Sequence, residues 1–236
     1  MKKDNKQVSV RTAAITSGIA ILIMTIAATI ANDVTIGKLT VTGDALATFD
    51  NIKSSEPLFR LGLYCWIVIL ICDLIVAWGL YVFFKTVSKD ISLIAAWFRL
   101  IYVAVLGTAI ANLVYVLPLV SGEHYLAPID TTHLQTLTLF FVNAFNSMWY
   151  VGLIVFGFHV LLLGYLIFKS GFVPKIFGVL LMMAFVGYVV TNSSFILFPQ
   201  FERYMVVLDW IFLLPMLGEV AFGIWLLVKG KNLQIQ

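Results

Sequence analysis

The chain has 236 residues and a formal net charge of +3, with 61% hydrophobic and only 11% charged side chains. A soluble domain is nearer half apolar and a quarter charged, so there is too little charge here to cover a water-facing surface. With a mean hydropathy of +1.02, the composition excludes a cytosolic enzyme, a disordered tail, a nucleic-acid binder and a disulfide-stapled secreted domain, and leaves an all-α integral membrane bundle.

A spanning helix needs about 20 mostly apolar residues, and six stretches qualify. The first runs over 12–31 without charge. Its lysine-led start and small-residue end also resemble a secretory signal peptide, although no clean A-x-A precedes Asn32. An outer loop, 32–57, follows. In it Thr42 is a candidate cap for a short helix carrying Leu46 and Phe49 on one face. That helix reads as an interfacial segment or as a lid over an outward cavity. Ser55 and Pro57 then mark the start of the second span, 58–84. This span holds Cys65 and Cys72, seven residues and about 10 Å apart along a helix, too far for a disulfide.

The third span, 91–120, contains Arg99. The fourth apolar run, 134–168, is too long for one straight crossing. It predicts a tilted helix or an interfacial turn near Leu134–Val142 ahead of a span over 143–168. The fifth span, 174–198, opens on Pro174, where a missing N–H is harmless. The sixth, 204–228, contains Pro215, a predicted kink. Gly107, Ala111 and Gly152 are candidates for tight helix crossings.

Lysine and arginine set the orientation. Lys2, Lys3, Lys6, Arg11, Lys85, Lys89, Lys169, Lys175, Lys229 and Lys231 fall at one side. Lys38, Lys53 and Arg203 fall at the other, with Arg60 at its edge. The rich side is expected to be cytoplasmic, giving a multi-pass cell-membrane protein with both termini inside. Tyr81, Trp97, Tyr165 and Trp225 fit an inner aromatic belt, and Tyr115, Tyr204 and Trp210 an outer one.

Ionisable groups within spans are expensive and mark functional sites by default. Asp73 lies 12 residues before Lys85, Arg99 10 after Lys89, His159 10 before Lys169, and Glu219 10 before Lys229. At 1.5 Å per residue all four sit about 15–18 Å from the inner anchors, near the middle of a core about 30 Å thick. Four different helices therefore contribute to one layer. Two readings compete for it. A closed ion network would fix helix register and do no chemistry. A polar pocket would use Arg99 to hold an anionic group, with His159 and Asp73 or Glu219 binding or moving protons.

Asp73, His159 and Glu219 would also make a plausible metal shell. No H-E-x-x-H or cysteine pair accompanies them, and the reading assigns no metal and no cofactor. His124 and His133 lie in or beside an outer loop. An outer polar set comprises Arg60, Asn112, Asn192 and Asp209, joined by Asn143, Asn146 and Thr191. Arg60 and Asp209 either pair to close that end or simply snorkel to water. No phosphate loop, dinucleotide fingerprint or nucleophile elbow is present, and basic residues sit at helix ends rather than in a nucleic-acid footprint.

Several motifs then occur in order: Ser55-Glu-Pro-Leu-Phe-Arg60-Leu-Gly62, Cys72-Asp73 and Phe98-Arg99-Leu100. They continue with Gly157-Phe-His159, Phe172-Val-Pro-Lys175, Leu213-Leu-Pro-Met-Leu-Gly-Glu219 and Trp225-Leu-Leu-Val-Lys229. In these the chain resembles the bacterial membrane family catalogued as domain of unknown function 4386. The resemblance implies a multi-helix inner-membrane protein and no particular activity. It also implies that Arg60, Asp73, Arg99, His159 and Glu219 match the family's polar signature.

Three functional readings follow. The first is a membrane protein that binds or passes a small molecule, or a lipid, at the midplane layer. The second is a structural or accessory protein locked by its buried charges. The third is an intramembrane hydrolase using His159. The bilayer is the one partner all three share, and none involves nucleic acid.

Overall fold

A computed structural model describes residues 9–198 and 217–230, and every regular element among them is helical. Helix α1 spans Val10–Leu39, α2 Ala45–Ser54, α3 Glu56–Phe84, α4 Lys89–Ser121, α5 Thr131–Ser170 and α6 Lys175–Leu197. The last described helix, α7, covers Leu217–Val228. Five of these are long and apolar enough to cross a membrane, and α7 is a shorter apolar helix. The rest of the expected sixth span, with Asp209, Pro215, Tyr204 and Trp210, lies outside the described residues.

Local chemistry explains most helix ends. The Ser9 side chain accepts from the Thr12 N–H at the start of α1. Asp44 caps α2 through the Ala47 N–H, and Asp130 caps α5 through that of His133. The hydrogen bond from the His133 backbone holds the Asp130 carboxyl below its usual range, with the His133 ring as a second partner. Helices α4 and α5 end on Gly122 and Gly171, whose φ of 70° and 72° suit glycine.

Three boundaries differ from the sequence reading. Helix α1 does not stop at residue 31. It continues through a π-helical stretch, Ile30–Ile36, stitched by side-chain bonds from Asn32 to the Ala28 carbonyl and from Thr35 to the Ala31 carbonyl. The helix of the outer loop is capped by Asp44 rather than Thr42. Its Phe49 and Ile52 are buried whereas Leu46 is exposed. Helix α5 is continuous over 40 residues with no turn near Leu134–Val142. Its additional turns are used, because α2 packs on α5 and Thr138 and Val142 are buried.

The helices form a ring. Helix α1 packs on α3, α3 on α4, α4 on α5 and α5 on α6. Helix α7 closes it, touching α6 through the rings of Phe222 and Phe177, 6.0 Å apart, and α1 where Gly223 lies against Ile21. Without a hydrophobic drive between helices in lipid, close approach of backbones decides such contacts. The tightest lies between α1 and α3, where a Cβ on Gly79 would fall 2.0 Å from Ser17 Oγ. Of the crossings expected from sequence, Gly152 does abut Tyr102 and Val105 of α4, but Gly107 only touches Leu70 at ordinary distance. The outward faces carry Ile26, Trp97, Tyr115, Phe140 and other large exposed apolar side chains, as a lipid solvent requires.

Candidate functional site: a guanidinium cluster beside an aromatic cavity

Asp73 on α3, Arg99 on α4, His159 on α5 and Glu219 on α7 meet in the middle of the ring. They are 2%, 0%, 1% and 7% exposed. Arg99 is the hub. Its Nε donates to Asp73 Oδ1 at 2.8 Å, and Nη2 reaches the same oxygen at 2.6 Å. Nη1 donates to Glu219 Oε1 at 2.6 Å and to His159 Nε2 at 3.1 Å. Nη2 also lies 3.6 Å from the sulfur of Met24 on α1. A guanidinium carries five N–H donors; four of them hydrogen-bond to Asp73, Glu219, His159 and Met24, and Nη2 is also ion-paired with Asp73. The Phe156 ring packs over the guanidinium, 5.2 Å from Cζ.

The imidazole is fixed as well. His159 Nδ1 lies 2.9 Å from the Ala95 carbonyl oxygen, which only accepts. Nδ1 therefore carries the proton and Nε2 takes the Arg99 hydrogen, the neutral tautomer. One guanidinium thus faces two carboxyl groups, and the cluster holds one more acidic than basic group.

This geometry answers two expectations. Arg99 is fully buried and already paired with two carboxyl groups of the protein, so an anionic ligand would have to displace one of them. The guanidinium also occupies the centre of Asp73, His159 and Glu219, where a shared metal would have to sit. No group of three or more His, Cys, Asp or Glu side chains is arranged for a metal among the described residues.

The outer polar set does not assemble around the cluster. Arg60 pairs with Glu56 one turn away at 2.6 Å and is exposed. Asn112 bonds the Thr108 carbonyl and the Met148 sulfur, and Asn192 bonds the Tyr188 carbonyl. The pairing of Arg60 with Asp209 falls on a residue outside the described set.

Beside the cluster, on its Trp66 side, lies a partly open cavity of about 280 Å³. Asp73 forms part of its wall, with Trp66, Tyr102, Trp149, Phe156 and Tyr188 as aromatic panels and Met24, Thr25, Ala28 and Thr29 of α1 along one edge. The panels touch one another: Trp66 and Trp149 have ring centroids 5.0 Å apart, Tyr102 and Phe156 5.0 Å, and Phe156 and Tyr188 5.3 Å. The Trp66 Nε1 donor is buried without a hydrogen-bond partner among the described residues. On the opposite side, next to His159 and Ala95, the void is only about 10 Å³, too small for more than one water.

Sequence reasoning missed the aromatic panels, although a signal existed. Trp66 and Ile69 precede Asp73 by seven and four residues, Tyr102 follows Arg99 by three, and Phe156 precedes His159 by three. These spacings put them on the helical faces that bear the charged groups. Met24 and Tyr188 had no such marker, since neither of their helices carries a charge at that depth.

The chain matches the family model described as Domain of unknown function (DUF4386) over residues 16–230. It is 32% identical over 166 residues to an uncharacterized protein of Archaeoglobus fulgidus, covering 70% of this chain and 82% of that one. No solved structure matches it. With the ring, the buried cluster and a match over nearly its whole length, the chain belongs to the DUF4386 family.

Proposed function

We propose that this membrane protein binds a small molecule in the cavity on the Trp66 side of the Arg99 cluster, and that the cluster serves as the rigid floor of that site. The observation that carries the reading is the asymmetry across the layer: about 280 Å³ on one side and about 10 Å³ on the other. Ligand pockets run from roughly 300 Å³ upward and combine apolar walls with a few polar groups, which this cavity approaches in size and matches in chemistry. The closed cluster blocks a continuous path between the two sides, so binding from one side is favoured over passage through the bundle. The hydrolase reading has little support, since both ring nitrogens of His159 are engaged and no room for a substrate lies beside it.

In this proposal the chain sits in the cell membrane with both termini cytoplasmic, on the strength of the lysine asymmetry. The cavity then faces outward from the midplane.

Thiol accessibility tests the reading. In a background of Cys65→Ala and Cys72→Ala, Ala28→Cys at the cavity edge is expected to react with methyl methanethiosulfonate in intact membranes. Val76→Cys, fully buried in α3, serves as the unreactive control. Adding Leu153→Trp, which fills the cavity, should suppress the Ala28→Cys reaction. An Ala28→Cys as inert as Val76→Cys means a dry, sealed bundle and overturns the proposal.

A further inference from the structure

The cavity's chemistry narrows the class of ligand, on the assumption that the binding role proposed above holds. Asp73 is the one carboxylate among the described residues in its wall. Both contacts from Arg99 fall on Oδ1. Oδ2 has no hydrogen-bond partner among the described residues, on a side chain that is only 3% exposed. A carboxylate oxygen with no donor from the protein, on the wall of a mostly apolar cavity, is poorly compensated for the water it has lost. The cluster as a whole has two carboxyl groups to one guanidinium, so the missing partner is positive rather than negative.

The walls suit the same charge. Aromatic faces attract cations, most strongly where water is excluded, and five rings surround the space next to Asp73. One of them, Phe156, already stacks on the Arg99 cation. An anion would meet the surplus carboxyl group and the negative faces of the rings. A hydrated metal ion would find a single free carboxylate oxygen, far short of the several oxygen ligands such ions require.

We propose that the cavity binds a small organic cation, an ammonium of primary to quaternary type, with its charged centre between Asp73 Oδ2 and the rings of Trp66, Tyr102 and Phe156. Free ammonium compounds and the ammonium headgroup of a lipid share this chemistry. The size of the cavity admits the charged group and a few attached carbons.

The test uses the full chain in nanodiscs of phosphatidylglycerol, which carries no ammonium. Choline, tetraethylammonium and phenethylammonium are titrated by ligand-observed NMR. The neutral isostere of choline, 3,3-dimethylbutan-1-ol, and the anion 3,3-dimethylbutyrate are titrated beside them. At least one of the cations is expected to bind saturably, with choline binding at least tenfold tighter than its isostere wherever choline is that cation. Asp73→Asn, checked for folding by thermal unfolding, should weaken binding by tenfold or more. If Asp73→Asn does not fold, Trp149→Leu takes its place, and a cation affinity equal to wild type overturns the proposal.

Equal affinity for choline and the isostere, or preference for the anion, also overturns it. So does the absence of any cation binding to wild type. In each of these cases a reactive Ala28→Cys leaves the binding role standing, whereas an inert Ala28→Cys removes both. Where binding occurs, its loss in phosphatidylcholine discs assigns the site to a lipid headgroup, and unchanged binding assigns it to a free cation.

Discussion

Arg99 illustrates how one side chain organises the molecule. Its donors are shared among Asp73, Glu219, His159 and Met24, so four other helices are held to α4 by a single planar group. Such a cation is a poor recognition element, because it is buried and already paired with two carboxyl groups, and a good structural hub. Removing one partner of a buried ion pair typically costs about 3–5 kcal/mol, since the other charge stays behind in a dry site. Arg99→Leu is therefore expected to lose at least that much, seen as a large drop in unfolding temperature in detergent or as loss of folded protein from the membrane. Arg99→Lys should restore only part of the loss, because an ammonium has three donors and no planar fork. A lysine variant as stable as wild type would show that charge alone matters and that the fork geometry does not.

At the level of elements, packing depends on small residues placed where helices cross. Gly79 of α3 meets Ser17 of α1, whose buried hydroxyl has no hydrogen-bond partner among the described residues. A Cβ on Gly79 would overlap Ser17 Oγ and lie 3.1 Å from the Ala13 carbonyl, but it would lie 3.4 Å from Ser17 Cβ, an ordinary contact. Gly79→Ala is thus expected to destabilise by about 1–3 kcal/mol, the usual range for overpacking. Adding Ser17→Ala should recover much of this, and Ser17→Ala alone should be near neutral. The coupling is read from a double-mutant cycle of thermal unfolding. Additive effects would mean that the two helices separate rather than clash at this point. The same scale shows what sequence left out: α2 and the long α5 explain each other, because the turns that exceed a membrane crossing carry the surface on which α2 rests. Run length alone cannot reveal a partner 80 residues away.

The whole molecule is a ring of helices whose charged layer closes one side of a cavity and leaves the other side open. The proposed placement in the membrane rests on lysines at helix ends, and labelling tests it. Thr42→Cys and Glu123→Cys, in the cysteine-free background, are expected to react with a membrane-impermeant thiol reagent in intact cells. Thr86→Cys, in the turn after α3, should react only after permeabilisation. The reverse pattern would invert the topology and turn the cavity toward the cytoplasm.

Class, the five long apolar helices and the common layer of Asp73, Arg99, His159 and Glu219 were legible in the sequence, because each depends on local composition and on the constant rise of a helix along its axis. The azimuth of α1 and α6, which carry no charge at that depth, was not. Spans that are apolar all round give no stripe to say which face turns inward, since lipid is as apolar as the protein core. Only the tertiary structure decided that Arg99 spends its donors on its neighbours, that α1 contributes Met24, and that the free space lies beside Asp73 and five aromatic rings, because those outcomes depend on how separate helices rotate and cross.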